Sequence, residues 1–581
     1  MSLRPFADAV ALWQPDSHER KLAQARLQKI DRVNTIVTPD GWLLAIRCLP
    51  ETNIGDVYCE EAQVFMAQGA DLFPTDDKSS PFNAIAIKKD LIEATRYCAT
   101  ATTSDFSAAH LGENGTLTVM QSHAALMPIF TAQNKNWLLW STSLDFAALA
   151  RPAAPELDDA IAAMVASLAS LFAEGRSLIQ GIAEEKRGQR IRLKPQKKNC
   201  YTNCDDEFLG KPLANAHMDK ESCGAALRKI VLDNLKKDLS GKHTNLLSLS
   251  GGRDSSTLAL LCQDHLKIPI TTASLTPSQG DWKSKELDSI LALLKDTPAQ
   301  NKLIIDWPDG SYQANVLNKK PPTAHFVLHP MLCELSFITA KKRVDVYFGG
   351  EFCDELIGGE AVLGEWLADL GFFKSHSKLP IKTQTRIVTS RHLIKTYLNT
   401  KHRWSNKLLQ VKYGDGVPGF IAPDLKNPIR TLLIKGSHFG LSASEQPLHR
   451  FHQKYAAVLG MNWAACSIMG IRRSFPLLTR ETLTLLRGTH AKHRLAPKSK
   501  ELFTAAFKSL VPAGILEREG KGFMSVDMPK QTKPPKASPV HRIFDHSAFQ
   551  SNELPLLMHI ANNIADEAQC GVDFLFNKYH N

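Results

Sequence analysis

Apolar residues in this chain come in short blocks, and their spacing switches between strand-like and helix-like periods at defined points. The clearest switch is Leu246-Leu247-Ser248-Leu249, a buried-strand pattern that runs through Ser250-Gly251-Gly252-Arg253-Asp254-Ser255-Ser256 into an apolar helical run over 257–262. An amphipathic helix is expected just before it, over 225–239. Short strands are expected after it at 268–275, 302–306 and 343–348, with helices over 283–294 and 332–341 between them. Alternation of this kind implies an α/β class with a doubly wound parallel sheet, and beyond Gly359 the pattern turns helical and loop-rich.

The front of the chain reads differently. Residues 1–34 carry a mixed helical pattern (Leu22, Ala23, Ala25, Leu27, Ile30) and are expected to form an extension or first helix. A hairpin follows over 35–50, where Ile36-Val37 and the apolar run 42–48 flank the turn residues Pro39-Asp40-Gly41. Further strand signals lie at 82–88, 117–120, 126–130, 137–140 and 188–193, so this half is α+β. Residues 194–213 mix Lys, Cys, Asn and Asp without periodicity and mark a linker, which divides the chain into domains at 1–209 and 210–581.

Composition narrows the class. A chain of 581 residues with 43% hydrophobic and 22% charged residues holds full-sized cores and more than one domain. The most apolar segment, 161–173, contains two serines and falls short of the roughly 18 apolar residues a membrane span needs. Arg4, Asp8 and Asp16 interrupt any secretory-type apolar core at the N-terminus, so a cytoplasmic protein without a membrane span is expected. Among the 11 cysteines the closest pair, Cys200 and Cys204, has neither redox nor zinc-site spacing, and reduced thiols are expected. The net charge of +11 suits ATP, an acidic peptide or nucleic acid, and equally an ordinary basic surface. The basic and aromatic residues Arg391, His392, Lys401, His402, Arg403 and Trp404 read as the surface of a helical domain, so nucleic acid is not expected as a partner.

The chemistry concentrates in the loop after Leu249. Two glycines let backbone approach a ligand closely, and the helix that follows aims its first N–H groups at it, which makes an anion cradle. Ser250, Ser255 and Ser256 add hydroxyl donors, whereas Asp254 would repel phosphate unless Mg²⁺ bridged the two. No lysine sits inside the loop, which separates it from the nucleoside-triphosphatase loop. It resembles instead the pyrophosphate loop of the ATP pyrophosphatase superfamily, whose members cleave between the α- and β-phosphates and adenylate a substrate. Leu249, Ser250, Gly251, Gly252, Asp254, Ser255 and Ser256, with Ser274 on the next strand and Gly349 and Gly350, form the candidate nucleotide-binding set.

A second loop follows the strand at 343–348: Gly349-Gly350-Glu351-Phe352-Cys353-Asp354-Glu355-Leu356-Ile357-Gly358-Gly359. It resembles the Ser-Gly-Glu-Gly-Ser-Asp-Glu-Leu-Phe-Gly-Gly loop of asparagine synthetases, with Gly349 in place of the serine. The resemblance implies ATP and Mg²⁺ as cofactors, Asp254 and Asp354 as the metal ligands, and Glu351 as a catalytic residue. Gly470-Ile471-Arg472-Arg473-Ser474-Phe475-Pro476-Leu477-Leu478-Thr479 is similar to the family's Gly-Leu-Glu-x-Arg-x-Pro-Phe-Leu-Asp, but its Glu, Arg and Asp have become Arg472, Ser474 and Thr479. Lys500 and Lys521, in segments similar to the family's Lys-x-x-Leu-Arg-x-Ala and Arg-x-x-Lys-Gly-Phe, are the candidate cations for phosphate charge, with Lys500 first.

The front half is similar in order to the glutamine-hydrolysing domain of the same synthetases, yet Ser2 stands where an N-terminal cysteine nucleophile is required. A degenerate N-terminal-nucleophile amidotransferase-like domain without glutaminase activity is therefore expected. The nearest functional likeness is to lasso-peptide cyclases, which join a peptide's N-terminal amine to an Asp or Glu side chain. That implies a precursor peptide substrate and a leader peptidase partner. An ammonia-using asparagine synthetase, a β-lactam synthetase (disfavoured by Glu351 where that family has tyrosine), a tRNA-modifying enzyme and a non-catalytic scaffold are the alternatives.

Overall fold

A computed structural model describes residues 7–30, 32–49, 52–68, 84–93, 106–122, 126–168, 176–195, 197, 200–203, 218–239, 243–276, 301–306, 335, 338–339, 343–357, 421–435, 456–489, 493–494 and 500–517. The helix expected at 283–294, most of that at 332–341, the linker segment 204–217 and the segment containing Lys521 lie outside the described residues.

The front half is built on two antiparallel six-stranded sheets. One is ordered β10 (Ala183–Glu184), β8 (Phe130–Gln133), β9 (Leu138–Ser141), β1 (Ala7–Trp13), β3 (Trp42–Cys48), β2 (Asn34–Val37). The other is ordered β12 (Cys200–Asn203), β11 (Gln189–Leu193), β7 (Leu117–Gln121), β6 (Ser107–Leu111), β5 (Val64–Gln68), β4 (Tyr58–Cys59). Alternation along the strands sorts the core. Ala7, Ala9 and Ala11 of β1 join a cluster with Phe65 and Val119 of the second sheet, while Val10 and Leu12 join one with Phe146 and Ile161 of helices Leu144–Ala150 and Asp159–Leu168. Phe65 meets Trp140 edge to face at 5.5 Å across the sheets.

Three expectations are corrected here. Residues 1–34 contain a strand, β1, ahead of helix Ser17–Gln28. β1 lies between β3 and β9 and is buried on both faces, so it lacks the polar alternation by which half-buried strands are recognised. Residues 82–88 were expected as a strand, but Ala84–Glu93 is a helix, with Ile87 and Leu91 buried four positions apart and Ile92 exposed. In 126–130 only Phe130 is in a strand, since Pro128 has no N–H for a ladder.

The second half carries a five-stranded sheet of order β15 (Asn301–Asp306), β14 (Ile270–Thr276), β13 (Asn245–Ser248), β16 (Val346–Phe348), β17 (Arg472–Ser474), every neighbouring pair parallel. Its strands bury both faces. Leu247, Val346 and Phe348 pack with Leu227, Val231 and Leu235 of helix Lys220–Asp238, while Leu246 and Tyr347 pack with Ala464, Ala465 and Cys466 of helix Ala456–Met469. That is the doubly wound arrangement. Helix Glu501–Phe507 lies so close to helix Lys220–Asp238 that a Cβ on Gly224 would sit 3.0 Å from the backbone of Ala505 and Ala506.

The two halves are joined by a buried polar knot. Asp8 on β1, 2% exposed, accepts from Thr142 Oγ1 at 2.7 Å, Arg47 Nη2 at 2.8 Å and Ser467 Oγ at 3.2 Å, and Ser467 belongs to helix Ala456–Met469 of the second half. Removing the carboxylate leaves the Arg47 guanidinium, 20% exposed, without its counter-charge. D8A is expected to cost about 3 kcal/mol, read as a lowered urea midpoint of the full chain, and the D8A/R47M double variant to recover part of that loss. Equal losses in the single and double variants would show that the pair is not what holds this joint.

Candidate active site

In the order β15-β14-β13-β16-β17 the direction of winding reverses between β13 and β16. Ligands in open parallel sheets bind beyond the carboxyl ends of the strands at such a reversal. Both candidate loops leave from these two strands.

The first loop turns at Gly251, whose φ of +69° is open to glycine at no steric cost, and enters helix Arg253–Leu260. Gly252 is the N-cap and gives no side-chain cap, so the first N–H groups of this eight-residue helix are not closed by the usual capping oxygen. Ser250 Oγ lies 3.1 Å from Ser255 Oγ and accepts from Gly252 N at 3.3 Å, which holds the turn open as a cradle. These are donors suited to phosphate oxygens. Leu249 is buried, Ser256 is buried, and Ser274 Oγ donates to Leu249 O at 2.7 Å, so Ser274 ties adjacent strand ends together.

The second loop packs directly on the first. A Cβ on Gly350 would lie 2.8 Å from Asp254 Cβ and 2.9 Å from Ser255 N. Phe352 takes a left-handed φ of +70° and leads into helix Cys353–Leu356, whose last carbonyl, that of Leu356, accepts from buried Arg494 at 3.0 Å. Asp354 has its backbone in this short helix, and its side chain lies outside the described residues. Cys353 is fully buried beside Asp254. Burial first, and then the Asp254 carboxylate, push its thiol well above the ordinary range, so it stays neutral and offers no thiolate.

Lys500, which stands 246 residues from Asp254 in sequence, reaches it: Nζ donates to Asp254 Oδ1 at 2.7 Å and to Oδ2 at 2.5 Å, with the lysine side chain 5% exposed. It is the N-cap of helix Glu501–Phe507 at φ +65°. Arg253, from the same loop as Asp254, donates to Leu516 O at 3.0 Å and so anchors the segment that precedes Lys521. Glu351 pairs with Arg473 of β17. The sequence assigns no role to Arg473, Arg494 or Cys353; Arg473 alone of the two arginines stands in a segment similar to a family motif, and Arg494 stands in none.

The cradle fits a nucleotide's phosphates. For Mg²⁺ the described donor is one carboxylate, Asp254, already carrying an ammonium, and among the described residues no group of three or more His, Cys, Asp or Glu forms a metal cluster. The seven described cysteines are free thiols, and among the described residues no helix is long and apolar enough to cross a membrane.

A parallel sheet with two packed loops at its reversal defines an α/β protein of the doubly wound class. Residues 226–559 match the asparagine synthase family, and the chain belongs to it. The general chemistry of this family is ATP-dependent carbon–nitrogen ligation, and its members use ATP, usually with Mg²⁺. Among solved structures the chain is similar to the NH3-dependent NAD synthetase from Campylobacter jejuni subsp. jejuni NCTC 11168 at 18% identity, covering 39% of this chain and 99% of that one with a TM-score of 0.19. It is similar also to the U34-tRNA thiolase NcsA from Methanococcus maripaludis, at 14% identity, 42% and 80% coverage and a TM-score of 0.20. The glutamine phosphoribosylpyrophosphate amidotransferase from B. subtilis gives 8% identity, 55% and 83% coverage and a TM-score of 0.22. Likenesses this distant carry no functional argument. No curated protein matches the chain.

Proposed function

We propose that this chain is an AMP-forming amide ligase that closes a macrolactam in a ribosomally made precursor peptide, joining its N-terminal amine to an Asp or Glu side chain. The observation that carries the reading is the meeting of the two loops and Lys500 at the sheet reversal. In the first step a substrate carboxylate attacks the α-phosphate and pyrophosphate leaves. In the second the amine attacks the acyl carbon and AMP leaves. Negative charge grows on phosphate oxygens in both, and a fixed ammonium at Lys500 lowers that barrier, with Lys521 as the reserve cation. Mg²⁺ would be held by Asp254 and Asp354 and would disperse phosphate charge when bound. Glu351 would take the proton from the attacking amine.

The proposed amine source is the peptide's own N-terminus, with an ammonia-using small-molecule ligase as the alternative. A leader peptidase is the expected partner, a cytoplasmic location the expected setting, and nucleic acid is not expected to bind. The test is mass spectrometry of a candidate precursor co-expressed with the chain and its peptidase. Loss of one water together with leader removal is the expected result. Leader removal with otherwise unchanged mass would overturn the peptide reading, and ATP–pyrophosphate exchange driven by free aspartate or glutamate alone would assign a small-molecule ligase instead.

A further inference from the structure

Arg473 is among the most tightly held side chains near the site. It is fully buried, its Nε donates to Asn462 Oδ1 at 2.9 Å, and its guanidinium carbon lies 4.1 Å from the Tyr347 ring centroid and 4.3 Å from that of Phe475. Tyr347 is its register partner across β16 and β17, so the parallel pairing itself sets one face of the stack. A guanidinium packed against two rings and tied at its edge has little freedom left, and its Nη2 donates to Glu351 Oε1.

That bond decides how Glu351 lies. The carboxylate folds back over Gly349, with Oε2 only 2.2 Å from where a Cβ at that position would be, so a side chain at 349, such as the serine of the similar family loop, would push this carboxylate aside. Oε2 is covered and has no hydrogen-bond partner among the described residues, although the side chain as a whole keeps 38% of its surface open. A covered carboxylate oxygen without a donor is costly, and the terminal torsion of a glutamate is soft enough to present it to an incoming group. Gly350, the neighbour of Glu351, rests against Asp254 and Ser255, so the backbone that carries Glu351 packs on the candidate nucleotide loop.

We propose that Arg473 is a positioning residue for the second half-reaction, pinning one oxygen of Glu351 so that the other accepts an N–H of the attacking amine. This rests on the ligase reading above. In that step the nitrogen forms a bond to the acyl carbon, the bond from that carbon to the AMP oxygen breaks with its electron pair leaving on AMP, and one N–H proton passes to Oε2 and then to water. The proposal places Arg473 away from adenylation, which needs only the carboxylate and ATP.

The full chain is assayed with L-aspartate, L-glutamate and a synthetic peptide bearing both side-chain carboxylates. Radiolabelled pyrophosphate exchange reads adenylation, and capture by methylamine or the peptide's own amine reads the second step. In R473M, amine capture is expected to fall roughly 10- to 100-fold further than exchange, less than the roughly 10²- to 10⁴-fold contribution of a positioned proton acceptor because Glu351 itself remains. Hydroxylamine, unprotonated at neutral pH, is expected to recover product, and R473K to recover part of the methylamine rate, since lysine keeps the charge but not the fork. G349A, which displaces the same oxygen while leaving Arg473 in place, is expected to give the same split and covers a failure of R473M to fold. Parallel loss of exchange and capture in both variants, or no loss of capture, would overturn the proposal while wild-type exchange still upholds the ligase reading. Absence of wild-type exchange with all three carboxylates sinks both.

Discussion

D254N is expected to lower ATP–pyrophosphate exchange by at least ~10³-fold, and K500M by ~10²- to 10³-fold, the range seen when a fixed group that stabilises transition-state charge is removed. The two side chains are bonded through both carboxylate oxygens, at 2.7 and 2.5 Å, so they act as one unit. The D254N/K500M double variant should therefore exchange no more slowly than D254N alone by more than about threefold, far short of the product of the single effects. Stability moves differently. D254A leaves the Lys500 ammonium, 5% exposed, uncompensated, and should cost about 3 kcal/mol, less any relief from the partly open carboxylate side at 18% exposure. The D254A/K500M double variant should recover part of that cost while remaining inactive, which separates the chemical role of the pair from its structural one. Exchange surviving in D254N at a tenth of the wild-type rate or better would remove the nucleotide site from this loop.

The contact behind this prediction was half visible in the sequence. The strand, the glycine turn and the helix start at 246–262 were readable because each breaks a different local rule: apolar run, paired glycines, then helical spacing. The strands at 268–275, 302–306 and 343–348 correspond to β14 (Ile270–Thr276), β15 and β16 for the same reason. Lys500 was readable as a cation at a motif position, but its partner was not, because a bond across 246 residues is set by how helix Glu501–Phe507 docks on helix Lys220–Asp238. Arg473 stood at an unassigned position of its motif. Its bond to Glu351 follows from the register Tyr347↔Arg473, which no local pattern encodes. The edge strand β17 has only three residues, too short to show a period.

The front half shows the converse failure. β1 was missed because a strand covered on both faces carries apolar residues at every other step and small ones between, here Ala7, Ala9 and Ala11, a pattern that a helix also tolerates. The consequence is structural, since β1 also carries Asp8, the acceptor of the knot between the halves. Residues 7–13 thus form a central strand of a sheet that contacts the second half, instead of part of a separate extension. The front half is in this way tied to the half that carries the parallel sheet, through Asp8, Arg47 and Ser467.

The largest effect from a single methyl group should be that of G350A. The added Cβ would meet Asp254 Cβ at 2.8 Å, Ser255 N at 2.9 Å and Asp254 C at 3.1 Å, and two of these three atoms are backbone that cannot swing aside. The second loop must then lift off the first by several tenths of an ångström. Overpacking of this sort costs roughly 1–3 kcal/mol, and here the displacement falls on the Asp254 carboxylate and on the first N–H groups of helix Arg253–Leu260, the groups that would hold phosphate. Pyrophosphate exchange should drop about 30- to 100-fold, corresponding to a loss of roughly 2–3 kcal/mol in transition-state binding. Far-UV circular dichroism should stay unchanged, since the shift is confined to two loop tips. G349A meets only the far end of the Glu351 side chain and should leave exchange less affected than G350A, while G514A, with nothing within 4 Å of the new Cβ, should behave as wild type. If G350A exchanges pyrophosphate as fast as G514A, the two loops do not need to touch for adenylation, and the nucleotide must bind elsewhere than at the reversal between β13 and β16.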